Sequence, residues 1–307
     1  MFICHVALLA GFILPFLAQH SSFAQQVADP GFTPVVKRPA YKSDLPRVLF
    51  DEAHNNFHTA GGRYKPFVDL LVADGYRVVS GRRNLSKQVL KTFKIYVIAN
   101  ALGAEEFDDE GAENSAFTEE ECELISAWVR NGGNLLLIAD HAPFGGAAQA
   151  LAKRFGVEMS NSYTYDEANS EKEFGNHGFI VYSRENKLLG DHPITNGRKE
   201  AEKIQRVIAF TGQSLKGPEN SIAFLQLAET AKDKFSRDSE KSTSAAGRAQ
   251  GIAFKHGKGR VVVFGEAAML TAQLTGIEKS AFGMNVPGID NQQLVLNVMH
   301  WLSGLLK

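Results

Sequence analysis

The sequence contains almost no cysteine: Cys4 and Cys122 are the two in 307 residues. Cys4 lies in an apolar N-terminal segment, and removal of that segment would leave Cys122 without an intramolecular partner. A disulfide framework is therefore excluded for the mature chain. Stability has to come from a hydrophobic core, and a chain of this length with 44% hydrophobic residues is ample for one.

An excess of charge of either sign is also absent. The 33 basic and 34 acidic side chains give a formal net charge of −1, so the surface as a whole does not attract a polyanion and nucleic acid is not expected as a partner. Residues 51–54 read Asp-Glu-Ala-His, as in the motor box of some helicases. That box works beside a phosphate-binding loop of the Gly-x-x-x-x-Gly-Lys-Ser/Thr type, which this sequence does not contain.

The apolar N-terminal segment, residues 6–17, is short for a membrane span, which needs about 20 residues. Small residues follow it, with Ser22 and Ala24 at the positions that a signal peptidase reads. We therefore predict a signal peptide over residues 1–24 and a periplasmic or secreted protein. No Lys or Arg precedes the apolar segment, so an uncleaved N-terminal anchor is the alternative and would be the chain's membrane contact. The Pro-rich, polar residues 25–45 are predicted to be a linker.

Strand and helix patterns alternate from residue 46 onward. Buried strands are predicted at 47–50, 76–79, 95–99 and 135–139, and helices at 63–74, 87–93, 119–130 and 147–155. Such alternation is typical of a parallel sheet covered by helices on both faces. The prediction is a single α/β domain over residues 46–307, a three-layer sandwich with a mostly parallel, flavodoxin-like sheet.

The second half of the chain is less regular. Short strands are predicted at 179–182, 206–210 and 222–225, a hairpin-like pair at 251–254 and 260–264, and a closing amphipathic helix at 291–306. Residues 229–250 are polar and charged. They are interpreted as a mobile loop, either a lid over a site or a solvated insertion.

Polar side chains with reactive groups follow three of the predicted strands. In open parallel sheets, ligands bind beyond the carboxyl ends of the strands, so we expect these side chains to line one shared hollow. We predict Asp140, His141 and Glu266 as its catalytic groups. The predicted substrate-binding residues all follow the first strand: Asp51, Glu52, His54, Asn55 and His58.

Three interpretations of this set stay open. The first is a divalent metal site, because imidazole and carboxylate suit Zn²⁺, Mn²⁺ or Fe²⁺ and a bound metal would activate water for hydrolysis; its candidate ligands are Asp51, His54, His58, Asp140 and His141. The second is a metal-free cleft that hydrolyses or binds a small polar or carbohydrate ligand, with Asp140 or Glu266 as general base and His141 as acid. The third is a purely structural hydrogen-bond network.

Residues 128–156 resemble the central strand, sharp turn and helix of class I glutamine amidotransferases. In that family the turn carries a nucleophilic Cys, and a His and a Glu near the C-terminus complete the triad. Here Asp140-His141 occupies the turn, and Gly265-Glu266-Ala267 stands near the place of the late pair. The resemblance implies the fold of that superfamily without its glutaminase reaction.

A closer resemblance is to uncharacterised exported proteins of the same superfamily, related to trehalose-utilisation-like proteins and to gliding-motility transporter auxiliary domains. It rests on residues 48–54 (VLFDEAH), 139–141 (ADH), 257–263 (GKGRVVV) and 290–291 (DN). The family has no settled activity, so the functional prediction rests on the residues at the strand ends: an exported protein that hydrolyses or binds a small polar or carbohydrate ligand. The alternative that the resemblance implies is a non-catalytic scaffold or auxiliary domain of a cell-envelope transport or assembly complex.

Overall fold

The structure is a computed structural model, and it describes residues 26–83, 85–236 and 239–307. The predicted signal peptide lies outside the described residues, so it stays a prediction. Within the described ranges, no helix combines the length and the apolar character that a membrane crossing requires.

The described chain forms six α-helices and seventeen strands, many of them short. The helices are α1 (Lys65–Ala73), α2 (Lys87–Leu90), α3 (Glu119–Arg130), α4 (Phe144–Lys153), α5 (Pro193–Asn196) and α6 (Asn291–Ser303). The strands are β1 (Val27–Ala28), β2 (Arg47–Asp51), β3 (Arg77–Gly81), β4 (Ile95–Ala99), β5 (Asn134–Ile138), β6 (Glu158–Met159), β7 (Tyr163–Tyr165), β8 (Val181–Ser183), β9 (Arg206–Ile208), β10 (Leu215–Lys216), β11 (Ile222–Gln226), β12 (Lys232–Lys234), β13 (Thr243–Ser244), β14 (Ala249–His256), β15 (Gly259–Phe264), β16 (Ala272–Thr275) and β17 (Ser280–Gly283).

Helix α3 shows how local sequence sets an element. Thr118 caps its N-terminus by accepting a hydrogen bond from the Glu121 backbone N–H, and the Glu121 carboxylate accepts one from the Thr118 N–H. This is the reciprocal capping box that the sequence predicts. The helix ends at Arg130, before Asn131, also as predicted.

The central sheet is mixed and mostly parallel, as predicted. Its strands run in the order β3-β2-β4-β5-β15-β14-β10-β6, with β11 also paired to β14. The first five are parallel, and β14, β10, β6 and β11 add antiparallel pairs. Chain order reverses between β2 and β4, which is the arrangement of flavodoxin-like sheets and places a crevice at their carboxyl ends.

Apolar residues from the sheet divide between two clusters, one on each face. Phe50 and Val97 point into a cluster that contains residues of α1 and α6, here called the α6 face. Leu49 and Tyr96 point into a cluster that contains residues of α3 and α4, here called the α3 face. Strands β2, β4 and β5 are buried on both faces, which explains their nearly continuous apolar sequences.

The segment predicted as a linker is attached to the domain. Strand β1 pairs with β16, so that Val27 lies opposite Leu274, and the Ala40 N–H donates to the Asp74 carboxylate at 2.9 Å. The Tyr41 hydroxyl donates to Ser303 at the end of α6. The predicted linker therefore contacts the domain at residues 27–28 and 40–41.

Parts of the segment predicted as a mobile loop, residues 229–250, form short strands that pair with the rest of the domain. Strand β12 pairs with both β7 and β13, and the buried Asp233 accepts hydrogen bonds from Thr164 and Ser214 at 2.6 Å. The interpretation of the whole segment as a lid or solvated insertion is wrong for these strands, since satisfied buried carboxylates hold a chain in place. Residues 237 and 238 of that interpretation lie outside the described residues.

Candidate functional site

The end of β2 carries a buried acid–histidine chain on the α3 face. Both carboxylate oxygens of Asp51 approach His54 Nδ1, at 3.0 and 2.8 Å, and the Tyr96 hydroxyl donates to Asp51 at 2.8 Å. His54 Nε2 lies 3.3 Å from a Glu121 oxygen, and its ring packs on Phe117. The imidazole thus joins the end of a strand to the first turn of α3 between two carboxylates.

Burial and the neighbouring charges shift the pKa of His54 in opposite directions. Burial disfavours the imidazolium, but hydrogen bonds and charge from Asp51 and Glu121 outweigh it and raise the pKa of His54 above 6.5. A positively charged His54 is what the two carboxylates stabilise.

We expect this histidine to make stability depend on pH. Because its folded pKa is raised, its contribution is complete below the unfolded pKa of about 6.5 and is lost as pH rises through the folded value. The stability advantage of the wild type over His54→Gln should therefore shrink between pH 6 and pH 9, measured by urea unfolding at each pH. The exposed His177→Gln variant is the control and should show no such trend; a pH-independent effect of His54→Gln would contradict the assignment.

Glu52 and Asn55, which were predicted to bind substrate together with Asp51, take part in the local structure of the loop after β2. The Glu52 carboxylate accepts hydrogen bonds from Ala60 N–H, Ser80 and Arg82. Burial opposes ionisation of Glu52, but these donors hold its pKa below the usual value. Asn55 is exposed at a positive φ of 46°, a turn conformation that Asn tolerates.

The ends of β5 and β15 bring a second pair of acids together on the α6 face. The Glu266 carboxyl is fully buried and accepts hydrogen bonds from the Ala268 and Met269 N–H groups at 2.7 and 2.8 Å. Burial, and then the charge of Asp140, raise the pKa of Glu266 well above 4.5. The surroundings of Glu266 thus favour its protonated form beside Asp140, whose own N–H donates to the Asn100 side-chain oxygen.

His58 lies on this same face, packed on Tyr64. The rings stack at 4.8 Å, and the Tyr64 hydroxyl donates to the Ala267 carbonyl at 2.7 Å. Burial, with a smaller effect of Arg63, lowers the pKa of His58 to about 3. His58 is thus neutral, and its buried Nδ1 has no hydrogen-bond partner among the described residues.

The predicted single hollow is therefore divided between the faces of the sheet. Asp51 and His54 belong to the α3 face, whereas His58, Asp140 and Glu266 surround Tyr64 on the α6 face. The catalytic, substrate-binding and ligand roles given to these residues stay predictions. Across residues 26–83, 85–236 and 239–307, no three His, Cys, Asp or Glu side chains are placed to hold a metal ion.

An aromatic patch covers the crevice between the loops after β2, β4 and β5. His141 stacks on Tyr163 at 4.5 Å, and Phe57, Phe107 and Phe144 lie within 5.4–5.8 Å of one another, with His141 6.2 Å from Phe144. These five residues are called the aromatic patch below. The Phe57 N–H donates to the Asn100 carbonyl, which joins the loops after β2 and β4 at the point where strand order reverses.

Sequence reasoning missed most of this patch. No role is predicted from the sequence for Phe57, which lies between His54 and His58, and Phe107 and Tyr163 belong to segments without a recognised motif. The sequence feature that could have indicated the patch is the presence of large aromatic residues in loops that follow strands of the sheet. Clustered aromatic side chains near solvent often mark a binding surface. Glu121 was recognised as a helix cap, and no feature of the sequence pairs it with His54.

No protein-family model and no curated protein matches the chain. Solved structures do. The N-terminal domain of mmIFT52 is 15% identical with a TM-score of 0.60, over 83% of this chain and 97% of that one. At this identity the similarity shows a shared α/β fold and carries nothing about activity.

Two further structures are similar at TM-scores below 0.5. One is a putative ThuA-like protein from Parabacteroides merdae ATCC 43184, with 12% identity, a TM-score of 0.46 and coverage of 85% of this chain and 91% of that one. The other is the cytoplasmic protein STM3548 from Salmonella typhimurium, with 11% identity, a TM-score of 0.47 and coverage of 84% of this chain and 99% of that one. Proteins described as ThuA-like are thus among the structures similar to this chain.

Proposed function

We propose that the protein binds a small hydroxyl-rich ligand, a carbohydrate or a compound of similar chemistry, on the aromatic patch. The observation that carries the proposal is the position of the patch at the switch point of the sheet, where ligands of open α/β sheets bind. Ligand sites combine aromatic surface with a few polar groups. Phe57 supplies exposed ring surface. His141 and Tyr163 border it, with His141 Nδ1 2.8 Å and the Tyr163 hydroxyl 3.3 Å from the Ala142 carbonyl oxygen.

Acidic groups around the patch suit a ligand that donates hydrogen bonds. Phe107 lies within an exposed run of carboxylates, with Glu105 and Glu106 before it and Asp108 and Asp109 after it. Carboxylates accept hydrogen bonds from hydroxyl groups. The hydroxyl groups of a neutral polyol can use these carboxylates as acceptors.

Binding without hydrolysis is the simpler form of the proposal. Acid catalysis needs a carboxyl group within hydrogen-bond reach of the substrate. Glu266 has no exposed surface, and both of its carboxyl oxygens accept hydrogen bonds from backbone N–H groups. We infer that it holds the turn after β15 and does not touch the ligand.

The test is calorimetric titration with a panel of neutral mono- and disaccharides. Phe57→Ala is expected to weaken the best binder about tenfold, because an aromatic contact contributes roughly 0.5–1.5 kcal/mol beyond its buried area. Phe174→Ala is the matched control, since Phe174 is 39% exposed and Phe57 37%, and it should leave affinity unchanged. Equal weakening by both variants, or no saturable binding of any sugar, would refute the proposal.

A non-catalytic auxiliary domain of an envelope assembly is the second candidate. It is favoured by a specific observation: Asp51, Glu52 and Glu266 all spend their carboxylates on internal hydrogen bonds. Acids that are satisfied in this way stabilise a fold and are not available to a substrate. If the sugar panel fails to bind, this becomes the leading function, and capture of a specific partner from envelope extracts is the measurement that supports it.

A further inference from the structure

A cavity lies at the outer edge of the sheet, away from the aromatic patch. It occupies about 360 Å³ between β2, β3 and α2, near the lower end of the roughly 300–1,000 Å³ typical of ligand pockets. Its apolar lining comes from both strands and from the α2 region: Leu49, Val79, Leu85, Val89 and Phe93. The cavity opens at the carboxyl ends of β2 and β3, the edge of a parallel sheet at which ligands bind.

The charged groups of this cavity favour an anion. Arg82 and Arg83 both line it; Arg82 is held by Glu52 at 2.7 Å, whereas Arg83 forms no ion pair or side-chain hydrogen bond with another described residue. The one acidic lining residue, Asp51, has its oxygens engaged by His54 and Tyr96. The result is an exposed guanidinium at the rim of an apolar hollow, with no competing free carboxylate in its lining.

We propose that this cavity binds an organic acid, a carboxylate attached to a compact apolar or aromatic body. The body packs against Leu49, Val79 and Val89, and the carboxylate pairs with Arg83. A guanidinium presents its N–H groups in the planar arrangement that a carboxylate matches. The apolar wall requires a ligand with a hydrophobic part, so a small inorganic anion gains only the arginine contact.

Isothermal titration calorimetry with 4-phenylbutyrate tests the proposal, with its neutral amide 4-phenylbutyramide and inorganic phosphate as comparison ligands. One saturable site is expected for the carboxylate, with weaker binding of the amide and of phosphate. Arg83→Gln should weaken 4-phenylbutyrate about tenfold, the loss of one hydrogen bond to a charged group. Val89→Asp, which places a negative charge in the apolar wall, should abolish binding.

Arg77→Gln is the matched control, because Arg77 is an exposed arginine at the start of β3 that does not line the cavity. It should leave affinity unchanged. Equal weakening by Arg77→Gln would show that general charge attracts the ligand, and equal affinity for the amide would show that the carboxylate is not recognised; either result overturns the proposal. So does the absence of saturable binding.

Discussion

Replacing Glu266 with alanine is expected to lower the free energy of unfolding by about 3–5 kcal/mol, since each buried donor left without a partner costs about 1–3 kcal/mol and a cavity is added. The carboxyl accepts from the Ala268 and Met269 N–H groups and has no exposed surface. Water cannot replace it as acceptor unless the β15 turn opens. Urea unfolding at pH 7 measures the change.

Glu266→Gln separates the hydrogen bonds from the cavity. It keeps the volume and one acceptor oxygen, but its NH₂ group faces one of the two donors, so about half of the alanine loss is expected. The surface substitution Glu278→Ala should change stability by less than about 0.5 kcal/mol, because Glu278 is exposed in the β16–β17 turn. A loss below about 1 kcal/mol for Glu266→Ala would mean that the turn does not depend on this carboxyl.

The parallel half of the sheet was predictable because its signals are local. Apolar runs such as residues 95–99 match a strand that is buried on both faces, and the Thr118–Glu121 capping box marks the start of α3 within one turn. The observed helix ends differ from the predicted ones where the sequence has no clear capping residue. Helix α4 begins at Phe144, three residues before its predicted start, in a turn without a side-chain cap.

Elements held by distant partners could not be predicted in this way. Strand β1 has two residues, and its identity as a strand depends on β16 near the other end of the chain. Strand β12 is rich in Lys and Asp, yet β7 and β13 on its two sides fix it in place. Propensity within such short segments is too weak to outweigh their polar composition.

The candidate site was predictable in its location and not in its geometry. Strand ends gave Asp51, Asp140 and Glu266, which do lie at one edge of the sheet. Which face each side chain takes depends on strand register, because successive residues alternate. Phe50, Val97 and Leu136 form one row across the sheet, so Asp51, the residue after Phe50, points to the opposite face, beside Tyr96.

Loss of the Asp51 carboxylate is expected to be the other large effect. Asp51→Ala should lower the free energy of unfolding by about 3–5 kcal/mol, the usual result of removing one partner of a buried ion pair. It would leave the Tyr96 hydroxyl and His54 Nδ1 without their acceptor. Both groups are buried, and burial is the largest cause that raises the pKa of Tyr96 well above 10, so its hydroxyl stays protonated and still needs an acceptor.

The matched comparison is Asp69→Ala, which breaks the exposed Lys65–Asp69 pair on α1. Exposed ion pairs contribute about 0–1 kcal/mol, so this variant should lie close to the wild type. Asp51→Asn should fall between the two alanine variants, because it keeps an acceptor for Tyr96 and loses the charge that His54 needs. If Asp51→Ala costs no more than Asp69→Ala in urea unfolding at pH 7, the chain from Tyr96 through His54 to Glu121 does not hold α3 to the end of β2. In that case the Asp51–His54 pair is free to serve a ligand, and the acid–histidine chain of the α3 face returns as a candidate site.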